Sequence, residues 1–387
     1  METFHLVLSA FIALPILIIA FFPMLALHIL GRSKDLWIKS NDHGLISVIV
    51  PFCGIAPDSA RNLDSYISQV PSRRIEVLAC VEDPEDPIVR MIQDVLAKNR
   101  KAKARLIITG PRGTRLGKMH NLMSGIRHAR GNRLILLDSD VHLPSPRYIE
   151  EFTRPLGYSK IGLVTCFPAY RGAKNLGAVL LSGSINPDLL GYFALVGLTG
   201  QQAVANGACL AIRRNVLDEI GGMGFLENRV LMDTLLARHI IQHGYQVHLH
   251  HSPAPIIHHR ATLRDWWEQV HRWQVSMRRV LPSHTFLGYF LMRLWPLWVL
   301  AIILTGLQYS YPFYIAGLAF ALRSISTLII DILFIRDSSL YKYLILLPII
   351  DLVDCFGALY TLTSSKIRWQ SKYYVIDRGG IATEIPS

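Results

Sequence analysis

Charge is scarce in this chain. Only 18% of its 387 residues are Asp, Glu, Lys or Arg, whereas 51% are hydrophobic and the mean hydropathy is +0.31. Disorder is excluded, because it needs low hydrophobicity with high net charge. An ordinary soluble composition is excluded as well, since the chain is too oily for one. Acid is scarcer than base, 28 against 40, and the formal surplus of +12 asks for an anionic partner: phosphate, nucleic acid or an acidic membrane surface. Cysteine is sparse and lacks a CxxC pair. Cys53, Cys80, Cys166, Cys209 and Cys355 therefore suggest neither a disulfide framework nor a four-thiolate zinc site, but free, mostly buried thiols facing a reducing compartment. The 27 Gly and 20 Pro follow no period, which removes collagenous and low-complexity classes.

Long apolar runs are present. Leu6 to Leu30 is 25 residues without Asp, Glu, Lys or Arg. At 1.5 Å per residue it exceeds a hydrocarbon core of about 30 Å. It reads as a spanning helix rather than a cleaved signal peptide, and Arg32 and Lys34 place the segment after it on the cytoplasmic side. Three more apolar stretches, Phe286 to Leu307, Pro312 to Ile335 and Leu340 to Thr363, crowd the C-terminal quarter. Four spans would carry the tail outside, yet Lys366, Arg368, Lys372 and Arg378 favour the inside, so one segment is open to a re-entrant or interfacial reading. Arg293, Arg323, Asp331, Asp351 and Asp354 interrupt these runs. Intramembrane charge marks either a functional site or residues that snorkel or pair with one another. The resulting division is an N-terminal anchor (1–33), a soluble domain (34–285), membrane helices (286–363) and a basic tail (364–387).

In the middle, short β-rich runs alternate with helical patterns. Ile46–Pro51, Ile75–Val81, Arg105–Thr109 and Arg133–Asp138 are the strands; Ala60–Gln69, Ile88–Lys98 and Leu116–Ala129 are the helices between them. That alternation predicts a doubly wound α/β sheet, whose ligands sit at the carboxyl ends of the strands.

Two acidic groups occupy such ends. Asp138-Ser139-Asp140 sets two carboxylates where a loop can turn both toward one divalent cation, Mg2+ or Mn2+, although as an isolated triplet it also describes a solvated turn. Asp83 follows the second strand, where a carboxylate can accept hydrogen bonds from a ribose or base; helix capping by Asp86 or its neighbours explains the acids there equally well. The segment Gly110 to Lys118 lacks the ending of a P-loop but supplies Arg112, Arg115 and Lys118 for a diphosphate, or simply a solvated basic loop. Asp233 is one acid in an apolar helical setting, where burial raises its pKa toward that of a general base. Gln269, Arg272 and Trp273 share a helical face beside Trp266 and Trp267, which also fit an aromatic belt. Seven histidines between His239 and His259 match no familiar zinc spacing and read as structural or solvent-facing.

Taken in order, Asp83, Asp138, Asp233 and Gln269-x-x-Arg272-Trp273 resemble the D, D, D, (Q/R)xxRW series of inverting membrane-bound glycosyltransferases, and more closely glycosyltransferase family 21, the ceramide glucosyltransferases and hopanoid-associated transferases. The likeness includes Cys80 to Pro87, Ala104 to Gly110, Lys118 to Met123, Gly162 to Val164, Val216 to Gly222 and Gly379 to Ile385. It implies an α/β fold: a GT-A type, Rossmann-like domain that binds a UDP-sugar, joined to α-helical transmembrane segments. It further implies that Asp83 holds uridine, that Asp138 and Asp140, with Lys118, address the metal and diphosphate, that Asp233 is the catalytic base, and that Gln269, Arg272 and Trp273 serve the leaving group. Met232 departs from the family, which usually has a second acid before the base, and Asn186 stands where the animal ceramide enzymes have His.

The expected reaction is transfer of one hexose, glucose first, from a UDP-sugar to ceramide, with N-acetylglucosamine transfer to a hopanoid polyol as the alternative. A processive polysaccharide synthase needs more spans, and a non-catalytic scaffold is the reading from another class. The expected partners are the bilayer and a lipid acceptor, with no nucleic acid, because the basic residues are dispersed. The expected location is an integral membrane protein with its catalytic domain facing the cytoplasm, in the inner membrane of a bacterium or the Golgi or ER of a eukaryote.

Overall fold

The computed structural model describes residues 44–70, 72–197, 203–293, 311–337, 341–369 and 372–386, with isolated positions between them. The Leu6 to Leu30 run therefore lies outside the described residues, as does much of Phe286 to Leu307. The chain divides into two compact units. One takes the described parts of Ile29–Ala169 and Val196–Ile257, and the other takes Tyr170–Leu195 and the described parts of His258–Ser387.

The first unit is built on a seven-stranded sheet. Its strands are β1 (Ile46–Phe52), β2 (Ile75–Val81), β3 (Lys103–Ile108), β4 (Arg133–Leu137), β5 (Ile161–Thr165), β6 (Cys209–Arg213) and β7 (Gln246–Leu249), in the order β3-β2-β1-β4-β6-β5-β7. The first four are parallel; β6 runs antiparallel to both of its neighbours. β2, β4 and β5 are buried along their whole length, as expected of strands covered on both faces. The helices Ser59–Ile67, Ile88–Lys98 and Gly117–His128 follow β1, β2 and β3. Strand order reverses between β1 and β4, so the crevice beyond their carboxyl ends is the expected ligand position.

Asn121, 3% exposed, locks this edge. Its Nδ2 donates to the carbonyls of Phe52 and Cys80 at the ends of β1 and β2, each at 3.3 Å, while its Oδ1 accepts from the Thr109 hydroxyl beyond β3 at 2.6 Å. One side chain thus fixes three loops.

The second unit holds the helices Leu176–Gly197, Leu263–Val280, Ser283–Met292, Tyr311–Ile330 and Leu347–Tyr360 and a small antiparallel sheet of β8 (Lys366–Trp369), β9 (Lys372–Ile376) and β10 (Ala382–Ile385). The sequence gives no warning of the Leu176–Gly197 helix. Its apolar residues are not confined to one face, so it lacks the stripe that betrays a surface helix. Among the described residues one helix, Ala316–Ile335, is long and apolar enough to cross a bilayer. The run from Leu340 to Thr363 is not one such helix. It breaks into Tyr341–Leu344 and Leu347–Tyr360, and Pro348 in the first turn of the latter explains why: proline has no N–H to give the carbonyl four residues before it, at Leu344, and its ring crowds that carbonyl, while proline suits a helix start.

Four of the five interrupting charges pair, Asp331 being the exception among the described residues. Arg293 Nε meets Asp354 Oδ2 at 3.0 Å, and Arg323 grips Asp351 with Nε and Nη2 at 3.2 and 3.1 Å. All four side chains are buried. Mutual pairing, the plainer of the two sequence readings, accounts for them. The described part of the expected tail carries the β8–β10 sheet.

Candidate active site

β4 is followed by Asp138-Ser139-Asp140, and the Ser59–Ile67 helix holds that turn. Asn62 donates to the Ser139 carbonyl at 3.1 Å, and the Tyr66 hydroxyl donates to the carbonyls of Asp138, at 3.1 Å, and Val141. Burial, then the charges of Asp140 and Asp138, push the Tyr66 phenol well above its ordinary value, so it remains a neutral donor. Asp138 is half-buried and Asp140 exposed.

The antiparallel β6 brings a second segment to this place. Leu137 pairs with Cys209, and the Asp138 amide donates to the Ala208 carbonyl at 2.9 Å, which puts Gly207 beside the acidic turn. The Gly207 amide donates to Asp233 Oδ2 at 2.6 Å. Asp233 lies in the first turn of the Met232–Gln242 helix, where the helix dipole favours an anion, and its Oδ1 accepts from the Thr234 amide at 2.8 Å. Leu231, just before, has φ +52°, a left-handed conformation costing about 1–3 kcal/mol for a residue with a Cβ. That strained turn sets where the helix starts, and with it the direction of Asp233.

Lys118, in the first turn of Gly117–His128, joins the two acids. Its Nζ lies 2.5 Å from Asp138 Oδ1 and donates to the Gly207 carbonyl at 3.4 Å. Burial lifts the Asp233 pKa, while hydrogen bonds from Thr234 and Gly207 and the charge of Lys118 pull it down; burial wins, and the net shift is upward. Gly207 is held to its identity by this packing, since a Cβ there would stand 3.2 Å from Asp233 Oδ2 and 3.4 Å from Lys118 Nζ.

Other expected residues fall around this centre. Asp83 is exposed after β2, its Oδ1 accepting from the Glu85 amide at 2.9 Å. Asp86, by contrast, accepts from the Ile88 amide at 2.9 Å where the Ile88–Lys98 helix begins, in line with the helix-start reading of an acid in this cluster. Of the three cations expected to face a diphosphate, Arg112 is tied to Glu82 at 3.7 Å and Arg115 to Glu227, which leaves Lys118 at the acidic turn. Burial drives His250 down to about 3 and His248 to about 4. These neutral rings pack structurally, His250 lying edge-on to Phe152 and Tyr148.

Gln269, Arg272 and Trp273 belong to the second unit, on Leu263–Val280. Arg272 donates to Gln269 Oε1 at 2.6 Å and sits 4.8 Å over the Trp369 ring of β8, and Trp273 lies edge-on to Tyr170. Asn186 is buried and clamps both backbone groups of Tyr170, at 2.9 and 2.8 Å. Trp266 is buried too, donating to Ser184 at 2.9 Å, which makes it a packing residue rather than part of a belt. Gly207 and Asn121 escaped the sequence reading as individuals. For Asn121 a signal existed, its place inside Lys118-Met-His-Asn121; for Gly207 there was none.

Whether a cation suits the acidic turn follows from its donors. Asp138 and Asp140 offer hard carboxylate oxygens, as Mg2+ or Mn2+ prefers. No group of three or more His, Cys, Asp and Glu gathers among the described residues, so the remaining ligands would have to be phosphate oxygens of a substrate. The residues fit that kind of site.

The sequence model of Glycosyl transferase family 21 matches residues 12–382. Ceramide glucosyltransferase 1 of Caenorhabditis elegans is 23% identical over 243 residues, covering 62% of this chain and 51% of the relative. Ceramide glucosyltransferase 3 of the same animal is 22% identical over 242 residues, covering 62% and 52%. The chain thus spans about half the length of the curated relatives it matches. Among solved structures, the mannosyltransferase PcManGT from Pyrobaculum calidifontis, in complex with GDP-Man and Mn2+, aligns with a TM-score of 0.51 at 17% identity, over 91% of this chain and 98% of that one. The shared architecture is an α/β, GT-A-like fold around a parallel central sheet.

Proposed function

The chain belongs to glycosyltransferase family 21, and on that footing we propose that it moves one hexose, glucose first, from a UDP-sugar to the hydroxyl of a membrane lipid, ceramide before any other. The acceptor is suggested by the names of its two nematode relatives. The observation that supports the reading most is that one lysine, Lys118, touches Asp138 directly and the Gly207 loop that holds Asp233.

The division of labour follows from the chemistry. Asp83 and Asp138 end β2 and β4, with β1 between them. At a strand spacing of about 4.8 Å those ends are roughly 10 Å apart, which leaves room for a ribose between a uridine contact at Asp83 and a diphosphate at Asp138. A Mg2+ or Mn2+ ion held by Asp138 and Asp140 supplies neutralisation of the diphosphate charge when bound. The acceptor hydroxyl attacks the anomeric carbon from the face opposite UDP. Asp233 takes its proton as the new C–O bond forms and the bond to the diphosphate oxygen breaks. Lys118 meets the charge that collects on departing UDP. One displacement inverts the anomeric centre, so one carboxylate suffices. Gln269, Arg272 and Trp273 are assigned to the departure of UDP by their place in the family series. The chain is proposed to be an integral membrane protein with its catalytic domain facing the cytoplasm.

The test is lipid-reconstituted protein given several UDP-sugars with Mn2+, with ceramide and a hopanoid polyol offered as acceptors and the product identified by mass spectrometry. Asp233→Asn is expected to lose transfer roughly 100- to 10,000-fold while still binding UDP. Undiminished lipid product from Asp233→Asn would end the reading.

A further inference from the structure

The Leu347–Tyr360 helix is amphipathic in reverse. Asp351 and Asp354 are fully buried within the second unit, while Ile345, Ile349, Phe356, Leu359, Tyr360 and Leu362 are between 42% and 76% exposed. Water would favour the opposite arrangement; a hydrocarbon surrounding favours this one. The helix is nevertheless too short to cross. Its 14 residues rise about 21 Å, against about 30 Å of hydrocarbon.

Its attachments say where it sits. Gln274 of Leu263–Val280 donates to the Asp354 carbonyl at 2.8 Å, and Arg278 of the same helix donates to the Thr361 carbonyl. Directly afterwards β8 lies along that helix: His271 Nε2 is 3.2 Å from the Lys366 carbonyl, Arg368 is 2.9 Å from Glu268, and Trp369 lies under Arg272. A strand touching the helix that precedes the apolar stretches must be on that helix's side of any membrane. The number of crossings between Val280 and Lys366 is therefore even.

Depth agrees. Arg293, partner of Asp354, lies seven residues into the stretch that starts at Phe286; Arg323, partner of Asp351, lies twelve residues from Ile335. At 1.5 Å per residue these are about 10 and 18 Å from the ends of those stretches that adjoin Leu263–Val280 and the Leu347–Tyr360 segment. They bracket the middle of a bilayer.

Resting on the reading of this chain as a membrane-bound lipid transferase, we infer that Leu347–Tyr360 is a re-entrant helix that dips into one leaflet and returns, its Ile349, Phe356 and Leu359 face against the acyl chains. Only Phe286 to Leu307 and Pro312 to Ile335 cross after the Leu263–Val280 helix. β8–β10 stay on the side from which that helix came, which is where the cations Lys366, Arg368, Lys372 and Arg378 belong by the positive-inside rule.

The test uses full-length protein in sealed vesicles on a Cys53→Ser background, since the other four cysteines are buried. Leu263→Cys reports the side of the helix, and Thr383→Cys, with Glu384→Cys as a second site, reports the sheet; all three positions are exposed. A membrane-impermeant maleimide is expected to label helix and sheet sites from the same face, and a spin label at Phe356→Cys is expected to be relaxed by oxygen rather than by an aqueous nickel chelate. Labelling of the two sheet sites from the opposite face overturns the inference, as does nickel access at Phe356→Cys. Release of the unmodified protein by alkaline carbonate would instead overturn the membrane reading beneath it.

Discussion

Asp233 is useful as a base because two opposed effects act on it. Burial holds its pKa above the usual carboxylate range, against two backbone hydrogen bonds and Lys118. An acid whose folded pKa is raised is protonated first as the pH falls, and the base is then lost. The profile of kcat/KM against pH is therefore expected to carry an acidic limb above about 4, the ordinary carboxylate value, with full activity on its alkaline side. A limb at or below that value would remove Asp233 from the base role. Gly207→Ala tests the same carboxylate from its backbone partner. The added methyl must displace Asp233 or Lys118 by a few tenths of an ångström, and since a misplaced catalytic group is costly, at least a tenfold fall in kcat is expected with UDP affinity little changed. Asp138, Lys118 and Asp233 were legible in the sequence as charges at strand ends and in an apolar helix. Gly207 was not, because its contribution is an amide hydrogen and the absence of a side chain, and neither leaves a pattern.

At the scale of elements, the βα alternation is readable because β1, β2 and β4 are largely buried apolar runs of four to eight residues, and β2 falls where expected, at Ile75–Val81. The order of β5, β6 and β7 is not readable. It depends on β6 inserting antiparallel between β4 and β5, a long-range choice that no local periodicity encodes. What keeps the ligand edge in register is Asn121. Asn121→Ala removes three hydrogen bonds, two of them buried, so a loss of about 2–3 kcal/mol is expected in chemical denaturation of the purified protein. An unchanged midpoint would show that the strand ends hold themselves. The acidic turn makes a separate prediction. With two carboxylates and a lysine already on Asp138, calorimetry should find weak Mn2+ binding to the protein alone and much tighter binding when UDP is present, and Asp140→Asn should abolish that difference. Tight binding of Mn2+ without nucleotide would mean that other protein ligands complete the shell.

Across the whole molecule, hydropathy alone finds the oil but not how it is arranged. The Leu340 to Thr363 run has the length of a span, yet it is divided at Pro348, and its two aspartates face inward to meet arginines from other helices. A buried ion pair is weak evidence of net stability, because desolvating both charges costs about what their attraction returns; removing one partner is what is expensive. Arg323→Met takes from the buried Asp351 carboxylate the guanidinium that grips both its oxygens, so a loss of about 3–5 kcal/mol is expected, read as a collapse in melting temperature and in yield of detergent-solubilised protein. Arg323→Met with Asp351→Leu replaces the pair by apolar groups of similar volume and is expected to restore both. The distinction matters for what these charges do. If they only dock the short helix among its neighbours, the double variant should recover glycosyl transfer together with its melting temperature, because apolar packing docks a helix as well as an ion pair does. A double variant that melts like the unmodified protein but makes no lipid product would refute the docking role and give the Arg323–Asp351 pair a part in the transfer itself.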